Sequence, residues 1–236
     1  MYYEHTTTGT FLIRKNRFTA HVLVDNQEII CHVKNTGRLG ELLIPGTHVI
    51  LQFHPDAEAL GRKTSYSLIA IYKDNAGFSG ERLLVNIDSQ APNQAAAEWL
   101  SDGYFFPDIT DIQREVTYGT SRFDLAFLHE GKPALMEVKG VTLEREGAAC
   151  FPDAPTERGV KHVTELIHAA GHGYEAYLLF VIQMKGIRSF SPNRITHVAF
   201  ANALSAAENA GVHILAYDCM ISENSMQIDT PVVVCL

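Results

Sequence analysis

Long apolar runs are missing from this chain of 236 residues, and their absence sets the first expectations. In the first thirty residues no apolar run is long enough for a signal peptide, and the candidate around Phe11 to Ile13 is broken by Arg14, Lys15 and Arg17, so none is expected. Nowhere does an apolar stretch approach the roughly 20 residues that span a bilayer. A cytoplasmic protein with no membrane partner is the expectation that follows. Cysteine is scarce too: Cys31, Cys150, Cys219 and Cys235 are scattered without a CxxC pair, which argues against a zinc cluster or a disulfide framework. They read as buried small apolar residues. There is no Walker loop, no GxGxxG and no HExxH, so nucleotide-cofactor chemistry has no support. His168 and His172 stand i, i+4, but Gly171 between them reads as a helix end and no third metal ligand accompanies them.

Cations are also in short supply, 19 Lys and Arg against 27 Asp and Glu, for a net charge of -8. That balance argues against a generic nucleic-acid binder. The deficit is uneven, however. Residues 1–85 hold nine Lys or Arg against eight Asp or Glu, whereas residues 86–236 hold ten against nineteen. Most of that acidity serves solubility, and part of it is available to hold a cation.

What is present falls into two parts. In residues 1–85 short extended segments alternate with turns. Phe18 to Val24 is turned by Asp25-Asn26 into Glu28 to Val33, and Gly37, Gly40 and Pro45-Gly46 set off Thr47 to Phe53 and Ser65 to Tyr72. This pattern predicts a small all-β barrel or sandwich. After Asp88-Ser89-Gln90-Ala91-Pro92 the character changes. Asn93 is placed to cap a helix through Trp99 to about Leu100, and Asp102-Gly103 ends it. Strands are expected at Ile112 to Tyr118, Phe123 to Leu128 and Ala134 to Val138. A helix follows at Glu157 to Ala170, then a buried strand at Tyr177 to Gln183, a helix at Val198 to Asn209 and a strand at Val212 to Tyr217. That order describes an α/β domain with a mixed sheet over residues 86–236.

The segment from Arg122 to Gly140 carries the chemistry. A two-residue turn at Glu130-Gly131 sets His129 opposite Lys132 and therefore Asp124 opposite Glu137. Facing carboxylates have Cβ atoms roughly 4.5 to 5.5 Å apart and repel each other, so a positive group is expected between them. Period-two geometry puts Lys139 on the face of Glu137, on the order of 7 Å along the strand. Such a set suits a hard divalent cation with oxygen ligands, and phosphodiester hydrolysis needs charge neutralisation and an activated water. A turn of three or five residues would shift the register by one and separate the two acids. An isolated Glu-x-Lys is usually an ordinary strand edge, but here it ends the apolar run Ala134-Leu135-Met136, where burial without a partner is costly.

Further blocks point to a family. Arg17-Phe18, Asn35-Thr36-Gly37-Arg38-Leu39, Arg62-Lys63-Thr64-Ser65-Tyr66, Asp88 to Asn93, Tyr118 to Asp124, Glu137 to Leu143 and Phe151 to Gly159 occur in one order along the chain. In these the chain resembles the sugar fermentation stimulation protein (SfsA) family over essentially its whole length. The resemblance implies an N-terminal OB-fold, a C-terminal domain of the PD-(D/E)XK nuclease type, and association with DNA. It further implies that Asp124 and Glu137 are metal ligands, with Val138 between the charged positions as a further metal contact. Lys139 is then the catalytic lysine, Glu98 the helix glutamate that some such nucleases add, and Mg²⁺ or Mn²⁺ the cofactor. The residue before the first acid is Phe123 rather than the proline of the motif name, a position that carries none of the chemistry.

Weaker signals surround this core. Glu115 is placed to approach the site, although an exposed strand glutamate is the plainer reading. Arg158, Lys161 and His162 share a helix and fit either phosphate contacts or a solvated face. In the first part Arg14, Arg17, Phe18, Lys34, Arg38, Arg62, Lys63 and Tyr66 interleave cations with aromatics, a mixture with which OB-folds grip single strands, though Phe18 reads more naturally as core. Three functions follow in order: a magnesium-dependent nuclease, a DNA-binding or regulatory protein on a nuclease fold that does not cut, and a carbohydrate enzyme with paired carboxylates. Lys139 fits the last poorly. DNA against RNA, strandedness and the existence of a homodimer stay open.

Overall fold

The computed structural model describes residues 1–76 and 81–236. Among the described residues six strands occupy the first part: β1 (Thr6–Asn16), β2 (Thr19–Val24), β3 (Gln27–Val33), β4 (His48–Phe53), β5 (Tyr66–Ala76) and β6 (Glu81–Asn86). They run β3-β2-β1-β4-β5-β6 across the sheet, and a parallel pairing of β3 with β5 closes the first five into a barrel. Alternation drives closure: Ala20, Val22 and Val24 of β2 point inward with Phe11, Cys31, Val33, Leu51 and Leu68. β1 serves two neighbours, pairing with β4 through Thr10 and with β2 from there on. Gly9 permits that crossing, because a Cβ on it would lie 2.6 Å from Val22 Cγ1. The opening strand β1 was not visible in the sequence, since its TTTGTFLIRKN run carries little apolar alternation.

The second part begins with α1 (Ala91–Ser101). Its N-cap is Gln90, not Asn93, and Pro92 lies within the first turn, where a missing N–H costs nothing. Asn93 therefore sits inside the helix with its amide free for another task. There follow β7 (Ile109–Tyr118), β8 (Ser121–His129), β9 (Lys132–Val141), β10 (Glu144–Arg145), β11 (Ala148–Phe151) and α2 (Glu157–Gly171). The chain ends with β12 (Glu175–Ile182), β13 (Ser189–Pro192), α3 (Val198–Asn209), β14 (His213–Ser222), β15 (Ser225–Pro231) and β16 (Val233–Val234).

The main sheet has the order β15-β14-β12-β9-β8-β7 and is mixed: β12 is parallel to β9 and β14, while β7, β8 and β15 join antiparallel. β12 is buried from Ala176 to Ile182, as a strand covered on both faces must be. α1 packs on one face with Met136, Val138 and Leu179, and α2 and α3 pack on the other with Leu135, Leu178 and Phe180. A small sheet, β10-β11-β13-β16, flanks it. Among the cysteines Cys31 and Cys219 are buried, Cys150 is half-buried and Cys235 is exposed near the chain end, so the expectation of uniform burial fails for the last. Among the described residues no helix is long and apolar enough to cross a membrane.

Candidate active site

The β8–β9 hairpin has the expected register, with His129 opposite Lys132 and Leu125 opposite Met136. Glu130 and Gly131 both take positive φ, +49° and +79°, the conformation a two-residue hairpin turn needs. The ladder between the two strands stops at Leu125 and Met136, one step short of Asp124 and Glu137. Past that point a side chain replaces the ladder: Val138 N donates to Asp124 Oδ2 at 2.8 Å. Asn93 Nδ2 of α1 donates to Asp124 Oδ1 at 2.6 Å.

Glu137 is 2% exposed. Lys139 Nζ donates to its Oε1 at 2.5 Å, and His162 Nδ1, from α2, donates to the same oxygen. The other oxygen, Oε2, is buried with no partner among the described residues. On the far side of the imidazole, Arg158 Nε donates to His162 Nε2 at 3.3 Å. A guanidinium only donates, so Nε2 accepts and the proton sits on Nδ1, facing Glu137. The ring of Phe123 meets that of His162 edge-on at 6.1 Å.

The two acids titrate in opposite directions. Burial, then the charge of Glu137, hold the Asp124 carboxyl above its usual range despite the Val138 and Asn93 hydrogen bonds and Lys139. Burial also acts to raise Glu137, but the His162 hydrogen bond and the Lys139 ammonium outweigh it, and its pKa is lowered. Glu137 is thus held ionised with one oxygen uncommitted. An orphaned buried carboxylate oxygen is costly, and a cation is one partner that would satisfy it. The donor set fits a hard ion: two carboxylates, with the remaining positions left to water or a ligand's oxygens. Among the described residues no cluster of three or more His, Cys, Asp or Glu suited to a metal is found.

The other expected site residues scatter. Glu98 is not brought to the pair; its carboxylate binds the Met1 ammonium at 2.6 Å and Gln94 at 3.0 Å, and Asn93 is the α1 residue at Asp124. Glu115 is exposed and faces Arg122 at 3.5 Å. His162 is no phosphate contact and no solvated-face residue, because its ring is buried against Glu137. Lys161 is exposed and reaches Thr120 O at 2.9 Å. On the barrel, Arg14 donates to the carbonyls of Asn16, Arg17, Asn35, Gly37 and Arg38. Lys34 pairs with Asp88 at 2.8 Å, and Arg62 bonds Ser67 Oγ at 3.0 Å. Arg17, Arg38 and Lys63 are exposed. Phe18 is not core: it is 51% exposed in the β1–β2 turn, with the Arg17 guanidinium 5.9 Å from its ring.

Comparison with known proteins agrees with this architecture. Residues 12–80 match the SfsA N-terminal OB domain, and residues 90–225 match the Sugar fermentation stimulation protein RE domain. The chain belongs to the sugar fermentation stimulation protein family. It is 51% identical to a sugar fermentation stimulation protein homolog of Desulfitobacterium hafniense over 96% of this chain and 95% of the relative. A homolog of Ruminiclostridium cellulolyticum is 47% identical over 98% of both chains. Among solved structures it is similar to that described as Pyrococcus furiosus SfsA in complex with Ca²⁺, with a TM-score of 0.86 and 26% identity, covering 100% of this chain and 98% of the other. The family barrel is thus an OB-fold, followed by an α/β domain with mixed sheets.

Proposed function

We propose that this SfsA-family protein is a nucleic-acid phosphodiester hydrolase of the PD-(D/E)XK type, with Asp124 and Glu137 holding Mg²⁺ or Mn²⁺ and Lys139 acting beside them. The observation that carries this reading is Glu137 Oε2, buried and without a partner among the described residues while Oε1 holds Lys139 and His162. A relative's structure contains Ca²⁺, an ion of the same oxygen-loving class. A bound divalent ion would neutralise phosphoryl charge and lower the pKa of water. The protein's own part is positional. Asn93 and Val138 orient Asp124, His162 and Arg158 hold the Glu137 carboxylate in one rotamer, and the Lys139 ammonium offers charge to the oxygen on which it develops. In hydrolysis a water oxygen bonds to phosphorus and the sugar–oxygen leaving group departs with a proton. The products are a phosphate monoester and a hydroxyl.

A second reading has its own observation. Both oxygens of Asp124 already accept hydrogen bonds from the protein, as they would in a structural cluster of a DNA-binding protein that does not cut. Labelled DNA and RNA incubated with Mg²⁺, Mn²⁺ or EDTA separate the two. Hydrolysis that needs the ion and disappears in Lys139→Ala supports the enzyme. Binding without hydrolysis under every condition supports the alternative.

A further inference from the structure

Three cavities share wall residues in sequence. The outermost, about 560 Å³, lies on the barrel between the β1–β2 turn and the β4–β5 loop and is walled by Phe18, His32, Arg62 and Lys63. The second, about 310 Å³, shares Phe18, His32 and Arg62 with it and continues to Asn35, Thr36 and Ser89. Those last three also wall the third, about 360 Å³, which ends at Gly140 and Gln183. Shared walls make the three one trough. Asp124, Glu137 and Lys139 are not among its wall residues, but its inner end reaches their neighbours: Gly140 follows Lys139, a Cβ on Gly140 would lie 2.7 Å from the Pro92 ring, and the next residue, Asn93, bonds Asp124.

The trough changes character along its length. The barrel end offers the exposed Lys63, the half-buried Arg62 and the exposed ring of Phe18, with the Arg17 guanidinium 5.9 Å from that ring, a set that attracts phosphates and stacks a base. It lies where OB-folds receive oligonucleotides, across the loops joining strands one to two and four to five. The inner part is lined by uncharged amides and hydroxyls, among them Thr36, Thr142 and Gln183, together with apolar groups such as Val141 and Phe151 and the one carboxylate of Asp153. Such groups suit base and sugar edges more than phosphates.

The inner passage is bridged. A Cβ on Gly37 would lie 2.8 Å from Asp153 Oδ2, so the barrel loop and the loop before α2 meet there. Nearby ties fasten the barrel to the linker before α1, Lys34 to Asp88 at 2.8 Å and Asn35 Nδ2 to Ile87 O at 2.9 Å, and fasten the end of β6 to the second part, Asn86 N to Gln183 O at 2.9 Å. Widening the passage would break several of these. A duplex, two strands across and stiff over about 150 base pairs, cannot bend into it, whereas a flexible single strand can.

We infer that this trough conducts one strand of nucleic acid from the barrel to the Asp124–Glu137–Lys139 cluster, so that the substrate is a single strand or the single-stranded overhang of a duplex. The cutting at the inner end rests on the hydrolytic reading; the ligand class rests on the trough's own walls.

The test uses the full chain with a fluorescein-labelled ten-nucleotide oligo-dT, a blunt 20-base-pair duplex, and the same duplex with an oligo-dT overhang. In EDTA the single strand and the overhang should bind at least ten-fold tighter than the blunt duplex. With Mn²⁺ they should be hydrolysed while the blunt duplex survives. Thr36→Trp, at an exposed position on the inner wall, should lose at least ten-fold in single-strand binding and keep the Mn²⁺-induced rise in Tm. Equal binding of the blunt duplex in EDTA overturns the trough, a result that needs no variant to fold. Mn²⁺-dependent cutting of the blunt duplex would also overturn it while leaving the hydrolytic reading standing. Selective single-strand binding, lost in Thr36→Trp and with no hydrolysis in any metal, would support the trough and overturn the hydrolytic reading.

Discussion

The barrel and the β8–β9 hairpin both carry charges that look functional in sequence, and the structure sorts them in opposite ways. In the hairpin the charges stay grouped: Asp124 and Glu137 are ringed by Lys139, His162, Asn93 and Val138, with one Glu137 oxygen left open. On the barrel many of the cations are already engaged. Arg14 clamps five backbone carbonyls, Lys34 pairs across to Asp88 and Arg62 bonds Ser67, while Arg17, Arg38 and Lys63 stand exposed. A row of cations in a sequence therefore overstates the surface offered to phosphates, because a guanidinium with several donors is also a good staple for loops. A pair of acids at the end of an apolar strand does not mislead in that way, since burial forces them to find partners.

The largest effect should come from Glu137→Ala, which leaves the Lys139 ammonium and His162 without their acceptor. A loss of about 3–5 kcal/mol in urea unfolding is expected, as for a buried ion pair deprived of one partner. A change smaller than about 1 kcal/mol would mean that the cluster is looser than its geometry. Next, Arg14→Ala should cost about 2 kcal/mol, because charge-assisted bonds to loop carbonyls are lost. Lys63→Ala should leave stability within about 0.5 kcal/mol but lower the salt slope of nucleic-acid binding by about one. Reversed results for these two would collapse the division of barrel cations into staples and contacts.

His162 sharpens the same contrast within the site. His162→Ala removes the Nδ1 donor that fixes Glu137 and should weaken Mn²⁺ binding by roughly 10- to 100-fold, the usual loss when a ligand's supporting partner is removed. His162→Asn keeps a donor near the place of Nδ1 and should stay within about 3-fold. Calorimetric titration reads both, and equal losses would assign His162 to packing alone. The smallest effect is that of pH. Asp124 has a raised pKa, so its ionised form is held at a cost that disappears as pH falls through that pKa; Glu137, lowered, keeps its stabilising charge down to more acid conditions. Protons thus compete with a cation at Asp124 first. The Mn²⁺-induced rise in Tm should shrink as pH falls through the raised Asp124 pKa, and a rise that grows on acidification would refute the assignment.

Much of this arrangement was legible before any coordinates. The Glu130-Gly131 turn specifies the hairpin register because both residues tolerate positive φ, and the apolar run of β12 marks a strand covered on both faces. Polar or very short strands were not legible: β1 is rich in threonine, and β10, β11, β13 and β16 hold four residues or fewer each. Within the site, Asn93 looks like a helix cap in sequence, and the reach of its amide to Asp124 depends on where the fold sets α1. His162 resembles Arg158 and Lys161 in charge, yet it falls beside Val163 and four residues before Leu166, inside the buried stripe of α2. That period was the available signal. The use of Arg14 and Lys34 as staples had none, since it depends on which loops the barrel brings together.

A divalent-cation site at Asp124 and Glu137 is open to calorimetric titration of Mn²⁺ into wild type and Asp124→Asn. Asn at this position keeps an acceptor for Val138 N, and the Asn93 amide can turn to meet its NH₂, so the variant should fold. The expected result is one ion per chain in wild type and at least ten-fold weaker binding in Asp124→Asn. No ion bound by wild type, or equal binding by the two proteins, would contradict the account.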